Sequence, residues 1–156
     1  MTENIPRLGL FPEDTGVNDQ GHLVIGGCDT VALAKEFGTP LYVFDEKSLR
    51  DKCVEYKTEF NKRYQGTTVL YAAKAFLCRA MANIIKEEGL GMDVVSGGEI
   101  SIAASVDFPL ENTFFHGNNK SPGELKQALE QGVGRIVVDN FHELNMLDKL
   151  SREKDR

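Results

Sequence analysis

Lys74 stands near the end of an apolar run, Thr67-Thr68-Val69-Leu70-Tyr71-Ala72-Ala73-Lys74-Ala75-Phe76. Read as a strand, the run puts Val69, Tyr71, Ala73 and Ala75 on one face and Leu70, Ala72, Lys74 and Phe76 on the other. Two apolar faces suit a parallel strand covered on both sides. An ammonium among Leu70, Ala72 and Phe76 loses hydration, which favours the neutral amine. Such an amine is the nucleophile of Schiff-base chemistry with a carbonyl compound. A lysine at a strand end can also simply snorkel to water.

Three more polar residues recur at equivalent places. Asp93 lies in Met92-Asp93-Val94-Val95, His116 ends Asn112-Thr113-Phe114-Phe115-His116, and Asp139 follows Arg135-Ile136-Val137-Val138. In parallel sheets, chemistry gathers at the carboxyl ends of strands. Asp93 beside a lysine amine would pair with it and hold its charge state; otherwise it is a solvated carboxylate. Glu99 either joins that mouth or is the third helical residue of a capping box begun by Ser96. The pair Gly97-Gly98 permits close backbone approach at a helix start, which suits an anion, or merely a tight turn. The loop His116-Gly117-Asn118-Asn119-Lys120 gathers an imidazole, two amides and a cation, and reads equally as a polar turn.

The elements that position these groups follow from pattern. Residues 1–20 form a loose, polar lead-in. His22 to Ile25 is a short strand, Asp29 caps a helix packing through Val31, Leu33, Ala34 and Phe37, and Gly38 with Pro40 ends it. Leu41 to Phe44 reads as another strand. Asp45 caps a helix whose apolar stripe is Leu49, Cys53, Tyr56 and Phe60. A helix with Leu77, Ala80, Met81, Ile84 and Ile85 on one face follows the lysine strand and stops at Gly89. Three strands then run into Ser96-Gly97-Gly98-Glu99, Ser121-Pro122-Gly123-Glu124 and Asn140-Phe141-His142-Glu143, each a cap residue with Glu three positions on. Their helices carry Ile100, Ala103 and Ala104; Leu125, Ala128, Leu129 and Val133; and Leu144, Leu147 and Leu150. From Val69 the order is therefore βα four times over. That fits a doubly wound sheet or a (β/α)8 barrel, of which four units are present. Residues 151–156 are a charged tail.

Composition narrows the function classes. With 156 residues, 41% of them hydrophobic, the chain can bury a domain core. A formal charge of -6 argues against nucleic acid or an anionic membrane surface as partner. Cys28, Cys53 and Cys78 are odd in number and widely spaced, so reduced thiols and a cytoplasmic location are expected. The N-terminus lacks an apolar signal core, and no run reaches a membrane span. Gly89-Leu90-Gly91 is not continued to GxGxxG, since position 94 is Val94. The P-loop and GxSxG spacings are likewise not met, and His22, His116 and His142 lack metal-ligand spacing, so no metal site is expected.

Four segments carry a family resemblance. Tyr71-Ala72-Ala73-Lys74-Ala75 resembles the lysine motif of the fold-type III pyridoxal-phosphate decarboxylases. Gly91 to Glu99 resembles their second-strand motif, and His116-Gly117-Asn118-Asn119-Lys120-Ser121 their third-strand loop. The runs Ile25 to Asp29 and Phe37 to Glu46 are similar to the diaminopimelate branch of that family rather than its ornithine and arginine branches. The likeness spans nearly all of residues 20–150.

The resemblance implies an α/β fold, a partial (β/α)8 TIM barrel of four βα units preceded by a segment of a β-domain. Residues 1–44 would belong to that β-domain and 45–156 to the first half of the barrel. It implies pyridoxal 5'-phosphate as cofactor, Lys74 as its covalent carrier and catalytic residue, and Asp93, Glu99 and His116 around it. The activity implied is decarboxylation of a small amino acid, meso-diaminopimelate, to L-lysine, by a full-length homodimer. The second half of that barrel, with its glycine-rich phosphate loops and substrate residues, is not in this sequence. The expectation is an N-terminal portion, inactive by itself. Two other readings stand beside it: a non-catalytic or ornithine- or arginine-type relative, and a structural α/β domain with incidental polar strand ends.

Overall fold

A computed structural model describes residues 8–152. The outer ends of the lead-in and of the charged tail lie outside the described residues. The chain divides into two compact units, one up to Glu55 and the other from Tyr56 onward.

The first unit is built on a small antiparallel sheet. Strands β1 (Gly16–Val17), β2 (Leu23–Ile25) and β3 (Cys28–Asp29) follow one another as a meander. The lead-in is therefore not wholly loose, since Gly16 pairs with Val24. Helix α1 (Thr30–Phe37) begins where Asp29 accepts the N–H groups of Val31 and Ala32, and stops at Gly38 with φ 81°. The side chain of His22, foremost, and the α1 N–H groups hold the Asp29 carboxyl at about 2. The expected packing of α1 is only partial: it rests on β2 and β3 with Leu33 and Ala34 half-buried, while none of its residues is fully buried and Phe37 is 64% exposed. The strand expected at Leu41 to Phe44 is absent. Its residues lie exposed along a cavity of about 560 Å³ lined by Leu33, Phe37 and Phe44. Strand propensity cannot act without a neighbour to accept the ladder hydrogen bonds.

Helix α2 (Glu46–Arg63) begins at Asp45, whose carboxylate accepts from Lys47 N–H and from the Ser48 hydroxyl. The predicted stripe does not become a core. None of its residues is buried, and Tyr56 and Phe60 stack on each other while more than half exposed. Ion pairs between Glu46 and Arg50, Lys47 and Asp51, and Glu59 and Arg63, each four residues apart, support the helix locally.

The second unit holds the parallel sheet. Its strands are β4 (Leu70–Ala72), β5 (Gly91–Val94), β6 (Thr113–Phe115) and β7 (Arg135–Ile136), hydrogen-bonded in that order and all parallel. Helix α3 (Arg79–Glu87) follows β4, α4 (Gly97–Ala104) follows β5, α5 (Pro122–Gln131) follows β6 and α6 (Phe141–Arg152) follows β7. The strand order never reverses, so there is no doubly wound switch point. Each helix packs on the next, α3 on α4, α4 on α5 and α5 on α6, in one layer. This is a stretch of (β/α)-barrel wall, as one of the two sequence alternatives required.

Period-2 alternation decides which residues the helices cover. Met92, Val94, Thr113 and Phe115 are fully buried, with Met81, Ile85, Ile100, Ala103, Leu125 and Ala128 supplied by the helices. The opposite face carries the register row Ala72, Asp93, Phe114 and Arg135, which is half-buried or exposed. In a closed barrel that face is the lumen. The Arg135 guanidinium lies over the Phe114 ring, 4.8 Å from its centroid.

Candidate active site

The lysine is not on a strand. Strand β4 ends at Ala72, and Ala73, Lys74 and Ala75 form a single 3-10 turn. The Tyr71 hydroxyl bridges this turn by donating to the Phe76 carbonyl at 2.5 Å. Lys74 is exposed, so the desolvation inferred from a continuous strand does not arise. Its amine makes no hydrogen bond or ion pair among the described residues. The turn packs against β5, and Ala72 pairs in register with Asp93.

Asp93 does not pair with Lys74. Its carboxylate faces His116, with Oδ1 3.7 Å from Nε2. That distance is too long for a hydrogen bond, and Oδ1 is buried without a donor. The imidazole is held by its backbone, since His116 N–H donates to the Val94 carbonyl at 2.8 Å, continuing the parallel ladder one residue past β6. The two residues meet because one lies on β5 and the other just beyond β6.

Glu99 is a brace at the same end of the sheet. Its Oε2 accepts the Val95 N–H at 2.6 Å, and its own N–H donates to Ser96 Oγ at 3.3 Å. The expected capping box is thus displaced by one residue, because the carboxylate reaches past Ser96 to Val95. The box at Ser121 and Glu124 forms in full. At the third repeat Asn140 accepts the Glu143 N–H at 2.9 Å, but the Glu143 side chain turns into the protein. Glu143 is 3% exposed and lies 2.8 Å from Lys120 Nζ. Sequence reasoning missed that pair, because Lys120 sat in a loop and Glu143 already had a role as a cap. The residue buried in α6 is this carboxylate, while Leu144, expected to be core, is 46% exposed.

Two other expectations change. At the start of α4 the Gly97 N–H is already taken by a carboxylate of the chain itself, Glu124 on α5. Asp139 lies exposed three residues past the end of β7, with Asn140 Nδ2 at 3.5 Å. It does not join Asp93 and His116.

What the arrangement offers is an unpaired primary amine on a turn against β5, a buried carboxylate oxygen without a donor, and an imidazole beside it. An amine, a carboxylate and an imidazole are the group types able to hold a carbonyl cofactor. The orphaned Asp93 Oδ1 is the clearest sign of a missing partner, since buried acceptors are otherwise hydrogen-bonded. The residues present therefore fit an aldehyde cofactor with a protonated nitrogen.

The fold and these groups define a stretch of (β/α)-barrel wall with an unpaired amine, a carboxylate and an imidazole near the carboxyl ends of its strands. Residues 46–155 match the family model described as pyridoxal-dependent decarboxylase, pyridoxal binding domain, and the chain belongs to that family. A diaminopimelate decarboxylase of Bacillus methanolicus is 49% identical over 145 residues, which cover 93% of this chain and 34% of that protein. The diaminopimelate decarboxylase of Bacillus subtilis is 48% identical over 136 residues, 87% of this chain and 31% of its own. Among solved structures, diaminopimelate decarboxylase from M. jannaschii in co-complex with L-lysine superposes with a TM-score of 0.82 at 30% identity, covering 93% of this chain and 34% of that one. The chain spans about a third of the length of these relatives.

Proposed function

We propose that this chain is the cofactor-carrying part of an enzyme that decarboxylates meso-diaminopimelate to L-lysine. One observation carries the cofactor assignment: the free amine of Lys74 stands beyond Ala72, which is paired in register with Asp93, whose buried Oδ1 lacks a donor. The choice of substrate rests on the names of relatives nearly half identical to this chain.

Pyridoxal 5'-phosphate, when bound, supplies the electron sink for loss of a carboxylate. Lys74 would hold the cofactor through its aldehyde, and Nζ would be the atom that takes up or gives up a proton there. Asp93 offers a carboxylate oxygen to a cationic or N–H partner. His116, close to that carboxylate, is a second proton carrier. Glu99 keeps the end of β5 in place through Val95 and contributes its charge to the same mouth. In the closed barrel of the full-length form, the lumen face that carries Asp93 and Phe114 would shield one side from water. The domain reading goes with this: residues 1–44 as part of a β-domain and 45–156 as barrel. So do a homodimer of full-length chains and a cytoplasmic location. Among the described residues no helix is long and apolar enough to cross a membrane.

The test has two arms. Pyridoxal 5'-phosphate mixed with the chain should give a protein-bound Schiff-base absorbance band that vanishes in Lys74→Ala. A band that persists in the variant would remove Lys74 from the role. The full-length form should release lysine and CO2 from meso-diaminopimelate; turnover of ornithine or arginine instead would overturn the substrate assignment.

A further inference from the structure

We infer that Lys120 and Glu143 are a positioning pair that fixes the His116 loop to the end of the barrel wall. The inference rests on the reading of Asp93 and His116 as site residues. Both side chains are almost wholly buried, 1% and 3% exposed. Lys120 Nζ donates to the carbonyls of Gly117 at 2.5 Å and Val137 at 2.9 Å, and lies 2.8 Å from Glu143 Oε1. Glu143 Oε1 lies off the line of a directed hydrogen bond, so that contact is one of charge. The Phe115 ring sits beneath the ammonium, 5.6 Å to its centroid. Two carbonyl acceptors and one carboxylate charge thus surround the ammonium.

Stability alone does not account for this arrangement. A buried ion pair recovers little beyond its own desolvation, and apolar residues of similar volume often serve as well. What the pair adds is connection. Gly117 is in the loop after β6, Val137 lies just beyond β7, and Glu143 is in the first turn of α6. One ammonium joins all three. Gly117 follows His116 directly and holds φ at +106°, with its absent Cβ 3.3 Å from the Val95 carbonyl. The His116 backbone is therefore tied on one side to Val94 and on the other, through Gly117, to Lys120. Asn118 and Asn119 are exposed and supply no such anchor. Without the pair, the ladder bond from the His116 N–H to Val94 remains, and the loop after it loses its tie to β7 and α6.

The experiment uses the chain as it stands, without cofactor. Lys120→Met combined with Glu143→Met removes both charges and keeps the volume. The expected result is a folded chain with a melting temperature near that of the parent. Amide hydrogen exchange over residues 116–119 should be faster by about tenfold or more. The NMR signals of the His116 ring should move toward free-peptide positions, while those of His22 stay put. Parent-like exchange and His116 signals in a folded variant would overturn the inference and leave the pair a packing element. If the double methionine variant does not fold, Lys120→Met with Glu143→Gln takes its place under the same two readings. None of these signals needs pyridoxal 5'-phosphate, so their outcome is separate from that of the Lys74→Ala absorbance test.

Discussion

Glu124, on α5, accepts the N–H of Gly97, the first residue of α4, at 2.9 Å. The same carboxylate closes the capping box of its own helix through Ser121. One side chain therefore answers unsatisfied N–H groups at the starts of two neighbouring helices. Gln127 completes the joint by donating to the Gly97 carbonyl and to Ser101 Oγ. A Cβ at Gly97 would meet Gln127 Oε1 at 2.6 Å, so Gln127 would have to swing away and give up this joint.

Glu124→Ala should cost about 1–2 kcal/mol in chemical denaturation, from the lost cap and charge-assisted bond. The Gly97 N–H, followed by the Ser121 N–H and hydroxyl, holds the Glu124 carboxyl below its ordinary 4.5. As pH falls the unfolded chain takes up this proton first. The stabilisation is therefore complete above the unfolded value and is lost as pH drops through the folded one. Glu124→Gln should flatten that part of the acid limb of a stability-against-pH curve.

Asp93→Asn should leave the melting temperature unchanged or raise it, because a buried charge without a donor is removed. Affinity for pyridoxal 5'-phosphate should fall about tenfold, the loss of one charge-assisted contact of roughly 1.5 kcal/mol. Titration by absorbance reads the second effect and calorimetry the first. A variant that loses stability and keeps affinity would make Asp93 structural.

Thr113 is fully buried on the helix side of β6, and its hydroxyl has no hydrogen-bond partner. Thr113→Val keeps the shape and removes the orphaned group. The expected gain is about 1 kcal/mol in the urea midpoint analysis, with an unchanged slope.

Gly134 and Gly123 should respond oppositely to alanine. A Cβ at Gly134 would fall against the backbone carbonyl of Glu111, which cannot swing aside as a side chain does. At Gly123, in the first turn of α5, nothing lies within 4 Å. Gly134→Ala should cost about 1–3 kcal/mol, while Gly123→Ala should gain about 0.4–1 kcal/mol by reducing unfolded-state entropy. Paired thermal melts read both.

The sequence was most legible where a local rule has no competitor. The cap at Asp29 and the box at Ser121 and Glu124 formed as the residue types demand. The apolar buried residues of α4 and α5 fell on the expected stripes, whereas in α3 Met81, Ile84 and Ile85 are buried but Ala80 is exposed, Ala82 is buried in its place and Leu77 precedes the helix. The same rules misled where burial depended on a neighbour the described chain does not supply. Leu41 to Phe44 had strand propensity but no ladder partner, and the α2 stripe is half-buried at Leu49 and Cys53 and exposed at Tyr56 and Phe60. At Lys74 the alternating pattern ran through a real strand and into a turn of similar composition, so the strand was read as too long.

The sequence by itself determined the βα repeat, the helix starts and the identity of the strand-end residues, because each depends on interactions within a few residues of chain. Only the tertiary structure decided that Asp93 faces His116 and not Lys74, that Lys120 is a buried cation and not a loop residue, and that Glu143 leaves its cap to meet it. Those choices depend on where separate strands and helices bring charges together, and whether a charge can be buried is settled by the partner it finds there.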